Sequence, residues 1–505
     1  MGLLRQSQVF LLVIIVTSLF PVSTANAGKA GFAERDITPD ISMERAGGYT
    51  KAFHRSVHDP CKVRAAVFDD GRKRCAVVGV DAMAISRELV LACRKIIEDQ
   101  CGIPQSAIMI SASHSHSSGP IGTIPPGQYD HASKLIQKLA YEESPTDNPI
   151  YVKRVKAAII DAVCTANENR EDVQCGFGSG TEDKVAFNRR FRMRGGFVQT
   201  HPGQGNPEII GPAGPTDPEV GVVAAWNSDG QLMGCIVNFS CHATTSPGGI
   251  SANYIYYLEQ IIRSVMGDDV VVVFTAGASG DVTQVDNLSP HQRPKAEAWA
   301  KLVGGRVGAE AIKVMLSMER TTEFRVDARS KVMTIKRRVP DADDVKSALE
   351  LLRKPRKEIA RGDYIFAKET VLLDALLVKE PVVDVEVQAI QVGPAVFVSN
   401  PAEYFCQFGL DIKKASPFPL TFPVTLANGY VGYVPTKEAL GPNGGGYETI
   451  LTSYSNLITT TGDTIAKECI SLTKQLTPET IPARASVPPF RGTGWTLGRS
   501  KRQSQ

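Results

Sequence analysis

An α/β fold, with layered mixed β-sheets flanked by helices, is predicted by three features of this 505-residue chain. Apolar runs of strand length alternate with stretches that carry helical periodicity. Most of the runs are continuously apolar, as in strands buried on both faces. Several of them also end alike, in a knot of small and polar residues.

Taken in order, Cys75-Ala76-Val77-Val78-Gly79-Val80 is a strand running into Asp81. Arg87 to Glu98 has helical spacing, with Ser86 placed to cap it. Strand Ala107-Ile108-Met109-Ile110 follows, and Pro149 to Asn167 is the next long helix. The pattern recurs as a strand over Gly234 to Phe239, a helix near Tyr254 to Val265, and a strand over Val270 to Phe274. From Arg320 the pattern changes. Glu323 to Arg338 alternates as an antiparallel strand does. Asp341 to Lys368 is a charged helical stretch expected at the surface, and Val383 to Val398 gives two more strands. No linker or repeat interrupts the body, so residues 28–476 are read as one catalytic unit. The glycine-rich run Gly441 to Gly446 is a loop with no helix opening after it, and so is not a phosphate loop.

Residues 1–27 have a basic start at Arg5, an apolar core from Val9 to Val16, and the small-residue sequence Ala25-Asn26-Ala27. That is a secretory signal peptide cut before Gly28. No later segment supplies about twenty unbroken apolar residues, so no membrane anchor is expected after cleavage. The expected location is secreted or periplasmic. A net charge of +3 is near balance and argues against nucleic acid as a partner. Residues 477–505, with Arg499, Lys501 and Arg502, read as a disordered basic tail. The ten cysteines contain no C-x-x-C pair, which argues against a structural zinc or redox motif; several are expected to be buried as small apolar residues.

Chemistry concentrates at four strand ends. The first is Ser111-Ala112-Ser113-His114-Ser115-His116-Ser117-Ser118-Gly119-Pro120. Histidines at i and i+2 point to one side of an extended chain. The second is Asn238-Phe239-Ser240-Cys241-His242-Ala243-Thr244. The third is Gly277-Ala278-Ser279-Gly280-Asp281-Val282-Thr283, and the fourth is Ser399-Asn400-Pro401-Ala402-Glu403. Ligands bind at the carboxyl ends of strands in α/β sheets, so these ends can share a crevice. Two imidazoles and a carboxylate are a usual shell for a catalytic zinc with one position open. Taken singly, His242 reads equally as a core histidine, Glu403 as a helix-start carboxylate and Gly277 to Asp281 as a tight turn. Their joint recurrence is what points to a site.

In this order the segments resemble the neutral ceramidase family, the alkaline/neutral non-lysosomal type, from about Gly31 to about Leu476. Ser113 to Pro120 is similar to the family's T-H-T-H-S-G-P segment, with one extra small residue. Asn238 to Thr244 resembles N-x-x-x-H-P-T, Ala402-Glu403-Tyr404 resembles G-E-F, and Asn188-Arg189 matches an Asn-Arg pair. Asn428-Gly429-Tyr430-Val431-Gly432-Tyr433-Val434-Pro435-Thr436 resembles N-x-Y-x-x-Y-x-T with one extra residue. The resemblance departs at Gly280-Asp281-Val282-Thr283-Gln284, where the family has G-D-V-S-P. Threonine keeps the hydroxyl but adds a methyl and a stiffer χ1. The chain also ends soon after the matched region, without the family's C-terminal β-sandwich.

The resemblance implies the ceramidase catalytic-domain fold and a secreted amidohydrolase with one zinc per chain. Its substrate would be a ceramide-like N-acylated lipid, cleaved to a fatty acid and an amine by a zinc-activated water or a hydroxyl nucleophile. His114, His242, Glu403 and Tyr433 would hold the metal, and His116 would orient the site or shuttle a proton. Arg189 would bind the acyl carboxylate or the developing oxyanion. Thr283 would contact the scissile group, as nucleophile or as a positioning hydroxyl. Asn188 and Asp281 belong to the positioning set, and Asp81 and His58 are expected behind the histidines. Two alternatives accompany this reading: a zinc hydrolase of an ester, lactone or glycan-derived substrate, and a non-catalytic exported binding protein on the same scaffold.

Overall fold

The computed structural model describes residues 27–484, 486–489 and 491. The leader expected at residues 1–27 lies outside the described residues except for Ala27. Much of the tail expected at 477–505 also lies outside them; its described residues, 477–484, 486–489 and 491, carry no helix or strand.

Three main sheets build the molecule. The first runs, edge to edge, Ile108–Ala112, Arg74–Val80, Lys62–Asp69, Lys29–Asp36 and Glu171–Asp172. Its first pair is parallel, Ala76 opposite Ile108, and the rest are antiparallel. Helices Arg87–Cys101 and Pro149–Glu168 cover its outer face. Ser86 caps the first of these, its side chain accepting from Leu89 N, as the sequence predicts. Asn148 caps the second ahead of Pro149 in the first helical position.

The second sheet, Val271–Ala276, Leu232–Phe239, Glu219–Trp226, Gln174–Thr181 and Arg320–Thr321, packs its inner face on the first. The contact leaves no room for side chains at Gly79 and Gly234. A Cβ at Gly79 would lie 2.5 Å from the Phe274 carbonyl oxygen, and one at Gly234 would lie 2.5 Å from the Phe32 ring. Helices Tyr254–Met266 and Ala296–Ser317 cover the outer face. The third sheet, Val326–Lys336, Val382–Val392, Ala395–Ser399 and Leu420–Val424, carries helices Cys406–Ala415 and Thr461–Thr473. The layered mixed-sheet architecture agrees with the expected fold class.

The charged stretch Asp341 to Lys368 differs from its sequence reading as one surface helix. It is broken near Pro355 into helices Ala342–Leu352 and Arg361–Leu377. The second is largely buried. With helix Lys134–Tyr141 it forms a small apolar cluster of its own, including Leu139, Ala348, Val371 and Leu372. Lys368 is fully buried there, and its ammonium donates to the Tyr49 carbonyl at 2.6 Å and the Ser144 hydroxyl at 2.7 Å. These donations replace the lost water, which is how a lysine on an apolar helix face is tolerated.

Candidate metal centre

The strand ends singled out in the sequence meet, stitched together by backbone hydrogen bonds. His116 N donates to the Ala243 carbonyl at 3.2 Å, His242 N to Val282 O at 3.1 Å, and Gly280 N to Tyr404 O at 2.8 Å. Glu403 pairs with Tyr433 in a short parallel ladder. Thr283 pairs with Phe187, next to Asn188 and Arg189.

His114 and His116 face one point, but by a different geometry from the strand alternation expected. The strand ends at Ala112, and His114 sits in left-handed backbone at φ 62°. The turn brings the two rings edge to face, 4.6 Å between centroids, with their Nε2 atoms 3.1 Å apart. The His242 ring lies 4.6 Å from that of His114 and 6.0 Å from that of His116, centroid to centroid, so the three rings form a triangle. Glu403 Oε2 is 3.2 Å from His114 Nε2 and 3.3 Å from His242 Nε2.

Each of these imidazoles is held by a backbone carbonyl at its other nitrogen. His114 Nδ1 meets Met83 O at 2.8 Å, His116 Nδ1 meets Gly47 O at 2.8 Å, and His242 Nδ1 meets Ser279 O at 2.6 Å. A carbonyl only accepts, so each Nδ1 carries the hydrogen and each Nε2 presents a lone pair. Three lone pairs and a carboxylate oxygen therefore crowd one small, buried space. His242 Nε2 and Glu403 Oε2 have no hydrogen-bond partner there. Unpartnered buried polar atoms of this kind are costly. A cation bound among them removes the cost, and nitrogen plus carboxylate donors suit zinc. The three histidine nitrogens alone form a group compact enough to hold a metal.

Electrostatics agree. Burial holds His242 well below its ordinary pKa, and the Arg189 cation adds to this. Burial, with His114 beside it, lowers His116 to about 3. Both rings are thus neutral near pH 7 and available as lone-pair donors.

Arg189 forms a second centre beside the first. Its Nε donates to Glu448 Oε1 at 2.7 Å, and its Nη2 to Gly280 O at 2.7 Å and Tyr433 OH at 3.1 Å. The guanidinium lies over the rings of Tyr433 and Tyr447. Tyr433 thus stands beside Glu403 along the backbone while its hydroxyl meets Arg189 and, at 3.3 Å, Tyr447. Tyr430 is the tyrosine that touches the carboxylate, donating to Glu403 Oε1 at 2.8 Å. Asn188 and Asp281 brace this region. Asn188 Nδ2 donates to Asp281 Oδ2 at 2.8 Å, and Asp281 Oδ1 accepts from Cys406 N at 2.8 Å, just beyond Glu403.

Asp81 and His58 stand elsewhere. Asp81 pairs with Arg64 Nη1 at 2.7 Å and accepts from Lys62 N, with no histidine in reach. The carbonyls of Met83, Gly47 and Ser279 take the part it was expected to play. His58 meets the Tyr257 hydroxyl at 2.8 Å on helix Tyr254–Met266. Sequence reasoning missed Tyr49, Tyr447 and Glu448. The last two follow directly on the glycine-rich run, whose Gly445 carbonyl accepts from Arg190 at 2.8 Å. The loop is anchored, and its function is to present Tyr447 and Glu448.

The centre opens into a cavity of about 1900 Å³ lined by His114, His116, Arg189, Thr283, Glu403, Tyr433 and Tyr447. Its lining also includes the apolar Leu89, Ile124 and, from helix Arg361–Leu377, Ile365 and Phe366, together with charged residues such as Lys153, Lys156 and Glu380. The neutral ceramidase from Pseudomonas aeruginosa matches with a TM-score of 0.67 at 18% identity, over 91% of this chain and 76% of that one. The chain has the neutral ceramidase fold. A structure described as ceramidase complexed with C2 gives a TM-score of 0.66 at 18% identity, over 92% of this chain and 77% of that one. No family model matches the sequence, and no curated protein matches it significantly. Among the described residues, no helix is long and apolar enough to cross a membrane.

Proposed function

We propose that this protein is an exported zinc-dependent amidohydrolase acting on an N-acylated, ceramide-like substrate. The observation that carries the reading is the convergence of three imidazole lone pairs and the unpartnered Glu403 oxygen in one buried space. The ceramidase fold and the size of the adjoining cavity support it. About 1900 Å³ exceeds what a small amide needs, and the apolar residues in its lining, Leu89, Ile124, Ile365 and Phe366, suit an acyl chain.

His114, His242 and Glu403 would hold the metal, with Tyr433 beside them. Zinc, when bound, supplies a Lewis acid that acidifies water and polarises a carbonyl. The chain supplies the rest. His116, oriented by the Gly47 carbonyl, would take the proton of the nucleophile at Nε2 and return it to the leaving amine. Arg189, fixed on Glu448, would offer its two Nη1 donors to the oxygen that gains charge. Thr283 keeps its O–H free to donate, because its oxygen already accepts from Val285 N at 3.2 Å. That favours a hydroxyl that orients the scissile group. Ile365 and Phe366 of helix Arg361–Leu377 would offer apolar contact to the acyl chain.

The test is a panel of N-acyl amides and matched esters of increasing chain length, assayed with the purified zinc-loaded protein. The reading expects amide cleavage that strengthens with acyl length and disappears in Arg189→Met. Ester turnover with no amide cleavage would reject the amide assignment. No turnover of either, with zinc bound, would favour a binding protein.

A further inference from the structure

We infer that Cys101 and Cys164 are joined by a disulfide in the mature protein. Of the ten cysteines, eight are buried, and only these two reach solvent. Their sulfur atoms are 2.6 Å apart. That is well inside the roughly 3.5–4 Å of ordinary non-bonded contact. Cys101 is the last residue of helix Arg87–Cys101, and Cys164 lies in the last turns of Pro149–Glu168.

An independent feature holds the same two helix ends in register. Arg74 Nη1 donates to the Cys101 carbonyl at 2.9 Å and to Asn167 Oδ1 at 2.9 Å. Gly102, in left-handed backbone, closes the first helix by donating to Glu98 O, which fixes the backbone that carries Cys101. The two sulfur atoms therefore already face each other across helix ends that are tied together. It closes a segment 63 residues long that contains His114 and His116.

The chemistry is thiol–disulfide exchange. One thiol loses its proton and the thiolate attacks a disulfide oxidant, either oxidised glutathione or a protein disulfide of the exporting compartment. The mixed disulfide releases one oxidant thiol. The second cysteine, as thiolate, then displaces the other. Two electrons and two protons pass to the oxidant, which ends as two thiols. The bond is independent of the hydrolase reading, though its formation in the cell follows from export.

The test maps disulfides by mass spectrometry in the full chain, after blocking with N-ethylmaleimide and trypsin digestion without reductant. Two samples are compared: protein exported by its own leader, and reduced protein exposed to oxidised glutathione. Both should give one linked peptide pair containing Cys101 and Cys164, absent in Cys101→Ser and in Cys164→Ser. Reduction should lower the thermal midpoint by roughly 3 °C. Free Cys101 and Cys164 in the exported sample would overturn the inference, as would linkage of either to another partner. Should the serine variants fail to fold, the wild-type peptide map decides alone.

Discussion

Removing the carboxylate behind Arg189 should destabilise the protein strongly, and more than its single hydrogen bond suggests. Glu448 is fully buried and Arg189 nearly so. At 2.7 Å between Nε and Oε1, the gross attraction is about 6 kcal/mol for an effective dielectric of about 20. Much of that offsets the cost of dehydrating the two charges, so the measurable loss is set by the partner left behind. In Glu448→Gln the guanidinium keeps only neutral acceptors, Gly280 O and Tyr433 OH. Breaking a buried pair in this way costs about 3–5 kcal/mol. For a chain of this size that is a fall of about 3–5 °C in thermal midpoint. The assay is urea unfolding at pH 7 followed by fluorescence and circular dichroism, with coincident transitions required. Arg189→Met alone strands the carboxylate and should cost a similar amount. The double variant should cost about as much as one single, because neither charge is then stranded. Singles that each cost under about 0.5 kcal/mol, or losses that simply add, would refute the argument.

Other outcomes follow from the same geometry. Gly47, at φ 84°, supplies the carbonyl that fixes His116, and a Cβ there would lie 2.6 Å from the His116 ring. Gly47→Ala should lower kcat by about 10–100-fold while zinc content is retained; an unchanged kcat would show that this carbonyl does not orient the ring. Thr283→Ser should retain activity and Thr283→Ala should lower kcat by about 10–100-fold; a loss above about 10⁴-fold would mark the hydroxyl as the nucleophile. Asp59 is raised by burial from 3.8 to about 7, against its hydrogen bonds from Ser251 and Ala252. Its folded pKa exceeds its unfolded one, so its contribution is full below about pH 4 and is lost as pH rises through about 7. Urea unfolding at pH 4.5 and 8 should show wild type losing roughly 3 kcal/mol relative to Asp59→Asn, whereas parallel curves would contradict the assignment.

Much of the site was legible because the strands that carry it are apolar on both faces. Ile108–Ala112 and Val271–Ala276 are fully buried, so the first polar residues after them stand out as strand-end residues. The same signal misled at Asp81. It also follows an apolar strand, but Arg64 on the adjacent strand claims it. Nothing periodic marks Tyr49, Tyr447 or Glu448, which sit in irregular chain or a single short turn and reach the site through backbone turns at Gly47 and Gly446. The helix Arg361–Leu377 was misread because its charge pattern resembles a solvated helix. Lys368 is buried only because Tyr49 and Ser144, distant in sequence, offer it acceptors. Pairings of that kind leave no trace in local periodicity.

The central claim is that His114, His242 and Glu403 gather around one cation. The most direct measurement is elemental analysis of protein loaded with zinc and dialysed, for wild type and for His114→Ala, His242→Ala, Glu403→Gln and His116→Ala. The account predicts about one zinc per chain in wild type and in His116→Ala, and its loss from the other three. Wild-type protein that retains no zinc would contradict the claim outright. Loss in His116→Ala with retention in Glu403→Gln would replace it with a site of three histidines.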